Sequence, residues 1–288
     1  MGSERRLPDF LYIGTSKAGS TWLFNTLAIH PEVHLASSKG LYFFDQHYDR
    51  GIDWYLDQFR GAGDARAMGE ISHSYLSSPD AEQRIQQLNP AMRLLVCLRE
   101  PVDRAFSDYL DLVKNGQFDG SFEAALERFP RLVDRGRYAT HLRRYRSIFA
   151  AEQMSVQLFD DLRVDPQSYA DATFDFLGVD RLQLPAAALK RRQPAGKARS
   201  RALASAAKRA SAVARQVGLR RLRSRVKRSV AVRELLYRPY ADDRPQLDPV
   251  VAEELRRVFA PEVEALTSLL GSPVAARWGY AVQGGEAA

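Results

Sequence analysis

The run Phe10-Leu-Tyr-Ile-Gly14 leads through Thr15-Ser-Lys17-Ala-Gly19 into Ser20-Thr-Trp-Leu, so a short apolar strand, a loop of Gly, Lys and hydroxyl residues, and a helix follow one another directly. A strand that hands over to a helix through such a loop belongs in an α/β sheet, with the loop at the carboxyl edge. Gly14 and Gly19 let the backbone turn tightly, several amides converge, and the positive end of the helix opening at Ser20 adds its dipole. Lys17 supplies a mobile point charge, which completes an anion cradle. The ATP- and GTP-binding loop places its lysine directly before the Ser/Thr that holds magnesium. Here Lys17 stands three residues before Ser20, so that loop is not reproduced.

A second strand, turn and helix follows in Leu94-Leu-Val-Cys-Leu-Arg99-Glu-Pro101-Val-Asp-Arg104-Ala-Phe-Ser107-Asp-Tyr109. Taken together, Gly-x-x-Lys-x-Gly-Ser-Thr-Trp-Leu and R-x-P-x-x-R-x-x-S-x-Y resemble the two phosphate motifs of sulfotransferases that use 3'-phosphoadenosine 5'-phosphosulfate (PAPS), in the carbohydrate and heparan-sulfate branch. The resemblance implies that Lys17, Ala18, Gly19, Ser20, Thr21 and Trp22 hold the 5'-phosphosulfate. It also implies that Arg99 and Ser107 hold the 3'-phosphate, with Arg104 a second available arginine. Arg199, in Arg199-Ser-Arg201, would help to cover the phosphates. An ion pair of Arg99 with Glu100 or Asp103 is the plain structural alternative. The resemblance covers residues 8–180 well and 240–280 loosely, through a last helix and Trp278, and it implies PAPS as co-substrate with no metal required.

The group that takes the acceptor proton departs from the family pattern. Heparan-sulfate-type relatives commonly read K-E-x-H-F-F after the second strand, and their glutamate is thought to be the base. This chain reads Lys39-Gly40-Leu41-Tyr42-Phe43-Phe44, so the glutamate is a glycine and the histidine a tyrosine. The nearest substitutes are Glu70 and His73, where relatives read E-K-T-P-x-Y. A partly buried glutamate or a neutral histidine suits proton abstraction near neutral pH, so Glu70 is expected to act with His73 assisting, and Lys39 to orient the base or the sulfuryl group. An ion pair for Glu70 and a structural hydrogen bond for His73 are the alternatives. The other histidines show no metal spacing, and no metal site is expected.

Charge is distributed unevenly. Residues 190–233 hold 16 Lys/Arg and no Asp/Glu, which leaves 26 basic against 35 acidic residues elsewhere, a net of −9. Their Ala, Val, Leu and Arg pattern predicts basic helices joined near Gly218, either a solvated insertion or a surface for an anionic membrane (197–233), an acidic acceptor or nucleic acid. Nucleic acid is not the expected partner; a small-molecule, glycan or glycolipid acceptor is. No apolar run approaches the ~20 residues that span a bilayer, and the polar N-terminus leads straight into the first strand, so the expected location is the cytoplasm, peripheral at the inner membrane face if the basic helices dock there. The single cysteine, Cys97, lies in an apolar run and reads as a core residue.

Further strands are predicted at Val33–Ala36, near Gly69 and over Met154–Phe159. Helices are predicted over Ser20–His30, Pro79–Leu88, Val102–Lys114, from a capping Ser121, over Tyr138–Phe149, over Ala170–Leu177 closed by Gly178, and over 247–270. The expected fold is a P-loop-like three-layer α/β arrangement, a central parallel sheet flanked by helices. It would form one domain over residues 1–288, with a basic helical insertion at about 190–235 and a disordered tail at 283–288. Two rivals stand beside a sulfotransferase: a P-loop nucleotide kinase or NTPase, which needs magnesium and ATP, and a non-catalytic nucleic-acid- or lipid-binding protein built on the basic segment.

Overall fold

The computed structural model describes residues 6–189, 196–198, 237–239 and 245–280. Five strands, β1 (Phe10–Gly14), β2 (Val33–Leu35), β3 (Ala67–Ile71), β4 (Arg93–Leu98) and β5 (Met154–Leu158), form one sheet in the order β2-β3-β1-β4-β5. Every neighbouring pair is parallel, with Phe10 opposite Gly69 on one side and Arg93 on the other, and Leu94 opposite Met154. The chain leaves β1 for the β2 edge, returns through β3, then crosses to β4 and β5. The order therefore reverses around β1, where α/β sheets of this kind bind ligands at the carboxyl ends of their strands.

Side-chain alternation along these strands accounts for the three layers. Leu11, Ile13, Leu94, Val96 and Leu98 point into one core, with Phe44, Tyr55, Tyr75, Leu142 and Phe259. Phe10, Tyr12, Leu95 and Cys97 point into another, with Leu23, Tyr169 and Phe174. Both faces are apolar, which is why the strands read as continuous hydrophobic runs. Cys97 is fully buried and free, and burial pushes its thiol up to about 12, so it behaves as a small hydrophobe.

The helices are α1 (Ser20–Leu27), α2 (Phe43–Gln46), α3 (Gly51–Leu56), α4 (Ala81–Leu88), α5 (Pro101–Lys114), α6 (Phe122–Arg128), α7 (Arg131–Asp134), α8 (Tyr138–Arg146), α9 (Phe159–Val164), α10 (Pro166–Leu177), α11 (Ala186–Leu189), α12 (Pro249–Leu270) and α13 (Val274–Arg277). Helix α5 starts where the Glu100 carboxylate accepts from the amides of Val102 and Asp103, with Pro101 at its first position. Helix α10 begins four residues before its expected start, because Asp165 accepts from Gln167 and Ser168 and Pro166 is preset for a first turn. Gly178 closes it, as expected, with φ +67°. A two-stranded antiparallel ribbon of β6 (Gly196–Ala198) and β7 (Tyr237–Pro239) runs beside α5. The rest of the expected basic insertion, Arg199 included, and the expected tail at 283–288 lie outside the described residues.

Candidate active site

Strand β1 delivers the first loop to the sheet edge. Lys17 adopts φ +66° and Gly19 φ +84° at the cap of α1. A Cβ on Gly19 would stand 2.5 Å from Leu162 Cδ2, so glycine is required both by the backbone and by the close approach of α9. Ala18 and Ser20 are buried, Thr21 is exposed, and Trp22 is half-buried with its indole N–H donating to the Ala188 carbonyl at 2.8 Å. Trp22 thus ties α11 to α1. The Lys17 ammonium lies 3.2 Å from the Asp111 carboxylate on α5. This pair is substantially exposed and worth about 0–1 kcal/mol, so a more highly charged anion can take the lysine over.

Strand β4 brings Arg99 to the same edge. Its Nη1 donates to the Lys17 carbonyl at 3.1 Å, joining two loops that are far apart in sequence. Its guanidinium lies 5.1 Å above the Phe159 ring and 3.7 Å from exposed Asp103, so the ion pair weighed in the sequence exists but is loose. Burial is the largest influence on Arg99 and lowers its pKa; Asp103 and Tyr138 oppose it, and the charge of Arg163 adds to it. Arg99 Nε is buried with no hydrogen-bond partner among the described residues. A desolvated guanidinium with an unspent N–H, reinforced by Arg163, fits a phosphate. Ser107 stands two turns along α5, half-buried. Arg104 is different: it is completely buried, donates to the Leu132 carbonyl and lies 3.6 Å from Asp108, so it holds α5 to α7.

The loop after β2 is stitched onto the end of β3. Ala36 N donates to Gly69 O, Gly40 N to Ile71 O at 2.9 Å, and Tyr42 N to Ser72 Oγ at 3.1 Å. Glu70 lies beneath this seam, 1% exposed. Its carboxylate accepts from Tyr75 at 2.7 Å, Ser72 at 2.9 Å and Tyr55 at 3.4 Å. Burial pushes it up to about 7, against the lowering effect of the Tyr75 and Ser72 hydrogen bonds. Phe43 N donates to the same Tyr75 hydroxyl, so Glu70 organises both the loop and the strand end. Its oxygens are thus enclosed by three hydroxyl groups.

His73 Nε2 lies 2.7 Å from the Tyr42 hydroxyl. Burial, then the positive charges of Lys39 and Arg135, hold its pKa down to about 4, with Asp108 opposing and Lys17 adding. Lys39 donates to Thr21 Oγ1 at 2.6 Å, which ties this loop to the first turn of α1. The structure thus gathers Lys17, Lys39, His73 and Arg99 around the loops at one sheet edge, with Glu70 behind them. Asp111, Arg135 and Arg163 were not singled out by sequence as site groups, and Tyr42 was noted only as the replacement for the relatives' histidine. Asp111 lies one turn beyond Ser107 on α5, a spacing that could have flagged it; Arg135 follows α7 and carries no local signal.

Of the remaining aromatic residues, Phe43 and Phe44 are core. The Trp54 and Tyr48 rings are covered by Arg50 at 4.9 Å and Arg84 at 4.5 Å. His30 is structural, its Nε2 lying 2.7 Å from the Asp180 carbonyl. No helix among the described residues is long and apolar enough to cross a membrane.

Comparison with known proteins agrees with this geometry. The sulfotransferase domain family matches residues 7–217. Human heparan sulfate glucosamine 3-O-sulfotransferase 3B1 is 31% identical over 188 residues, 62% of this chain and 48% of that protein. Mouse heparan sulfate glucosamine 3-O-sulfotransferase 6 is 32% identical over 187 residues, 62% of this chain and 54% of that protein. The chain therefore spans about half the length of the curated relatives it matches. A crystal structure of a sulfotransferase from Alicyclobacillus acidocaldarius superposes with a TM-score of 0.70 at 25% identity, covering 95% of this chain and 99% of that one. With a family match over residues 7–217, most of its length, the chain belongs to the sulfotransferase domain family.

Proposed function

We propose that the protein transfers a sulfuryl group from PAPS to a hydroxyl or amine of a carbohydrate, glycolipid or natural-product acceptor. One observation carries this reading: the Arg99 to Lys17 hydrogen bond, which sets the two anion-holding loops side by side. A nucleotide bearing charge at both its 5' and 3' positions suits that pair better than ATP does.

PAPS supplies an activated sulfuryl group on a phosphate leaving group. The residues of the chain position and neutralise it. Lys17 meets the charge that builds on the bridging oxygen, the loop from Ala18 to Trp22 offers amides and hydroxyls, and Arg99 with Ser107 takes the 3'-phosphate. Arg199 is proposed to cover the phosphates from the segment that follows β6. Lys39, held against Thr21, is placed to orient the transferring group. We assign the whole chain to one domain with an inserted basic segment, and we place it in the cytoplasm. Residues 197–233 would meet an anionic membrane or an acidic acceptor, since the net charge of −9 outside 190–233 leaves little other basic surface.

The test is transfer of ³⁵S from labelled PAPS to a heparan sulfate oligosaccharide or to a neutral sugar alcohol, with EDTA present. Lys17→Ala should lower transfer by roughly 10²–10³-fold, as expected when a preorganised charge at the leaving group is lost. Label that stays on the nucleotide with every acceptor, together with magnesium-dependent turnover of ATP, would favour a kinase instead.

A further inference from the structure

We propose that the acceptor proton is taken by a Tyr42–His73 pair, which replaces the glutamate found in heparan-sulfate-type relatives, and that Gly40 is the residue that makes room for it. This rests on the sulfuryl-transfer reading above. Gly40 has φ +73°, and a Cβ there would stand 2.8 Å from Tyr42 Cε2, 2.9 Å from Cζ and 3.0 Å from the hydroxyl oxygen. The tyrosine ring therefore occupies the space that a side chain at position 40 would need. Two departures from the relatives' pattern, Gly for Glu and Tyr for His, are one structural change.

The same packing aims the phenol. Tyr42 holds φ +53° with its amide on Ser72 Oγ, and its hydroxyl meets His73 Nε2 at 2.7 Å, the two rings lying edge to face at 5.3 Å. His73 Nδ1 is buried without a hydrogen-bond partner among the described residues, so the hydrogen bond shown for this ring is the one to the phenol. Both side chains are half-buried, unlike Glu70, and the charges of Lys39 and Lys17 act on His73.

The transfer balances as follows. The acceptor oxygen bonds to sulfur, the bond from sulfur to the bridging oxygen breaks, and its electron pair remains on the 5'-phosphate. The acceptor proton passes to the Tyr42 oxygen as the phenolic proton passes to His73 Nε2, leaving an imidazolium that later loses its proton to water. The charged groups that act on His73 are Lys39 from the β2 loop, Arg135 after α7, Asp108 from α5 and Lys17 from the cradle. Burial first, and then the three cations among these four, keep the imidazole neutral and ready to accept. A bound nucleotide neutralises that field and strengthens the base when it is needed.

The experiment compares wild type with Tyr42→Phe, His73→Gln and Gly40→Ala, using ³⁵S-PAPS and a heparan sulfate oligosaccharide, with calorimetric binding of 3'-phosphoadenosine 5'-phosphate as a separate readout. Tyr42→Phe conserves the ring and should lower kcat by about 10²-fold or more while nucleotide affinity and KM for PAPS stay unchanged. His73→Gln should remove the acid limb of the kcat profile. Gly40→Ala should slow the wild type, because its methyl group collides with the Tyr42 ring and displaces the phenol. A Tyr42→Phe enzyme within about threefold of wild type would overturn the pair; failure of the wild type to bind the bisphosphate nucleotide would instead overturn the sulfotransferase reading beneath it.

Discussion

Glu70 shows how one residue type can suit two roles in sequence and one in structure. Read along the chain it is the nearest carboxylate to a missing base. Folded, it is sealed under three hydroxyl donors and acts by fixing the loop that carries Lys39 and Tyr42. Its pKa, raised to about 7, has a consequence for stability. Between about pH 4.5 and 7 the folded state binds more protons than the unfolded state, so this group's contribution is full below 4.5 and is lost as pH rises through 7. The loss is roughly 3 kcal/mol. Chemical denaturation of Glu70→Gln across pH 4 to 8 should therefore show a flatter profile than wild type, with the variant gaining on it toward pH 8. Turnover of this variant should stay within about tenfold of wild type, because positioning is weakened while the proton path survives. Lys17 and Arg99 were legible beforehand because each sits in a local strand-loop-helix pattern. The Tyr42 to His73 contact was not, because it depends on how a loop folds over a glycine.

At the scale of elements, the sheet, its two covered faces and most helices could be read from periodicity and caps. Ser121 caps α6 as expected, accepting from Ala124 N, and α1 and α8 end about a turn early, at Leu27 and Arg146. What local sequence could not show is how elements meet. The approach of α9 to the cradle is such a case, since Leu162 presses on Gly19 from far along the chain. Gly19→Ala combines a left-handed backbone with that collision and should destabilise the protein by about 1–3 kcal/mol, measurable as a lower denaturation midpoint. It should also weaken nucleotide binding, because the amides of the cradle must shift with α9.

Over the whole molecule, the loops that carry Lys17 and Arg99 are brought together by strand order. β1 and β4 are neighbours in the sheet, so the loops that follow them open at one edge, and Arg99 reaches the Lys17 carbonyl. That juxtaposition is the basis for reading the protein as a PAPS-dependent sulfotransferase. The most direct measurement is calorimetric titration with 3'-phosphoadenosine 5'-phosphate, AMP and ATP in EDTA, for wild type and Arg99→Ala. The bisphosphate should bind at least tenfold more tightly than AMP or ATP, and Arg99→Ala should erase that preference, a change of about 1.4 kcal/mol or more. Equal affinity for the three nucleotides, or a preference for ATP that appears on adding magnesium, would contradict that reading.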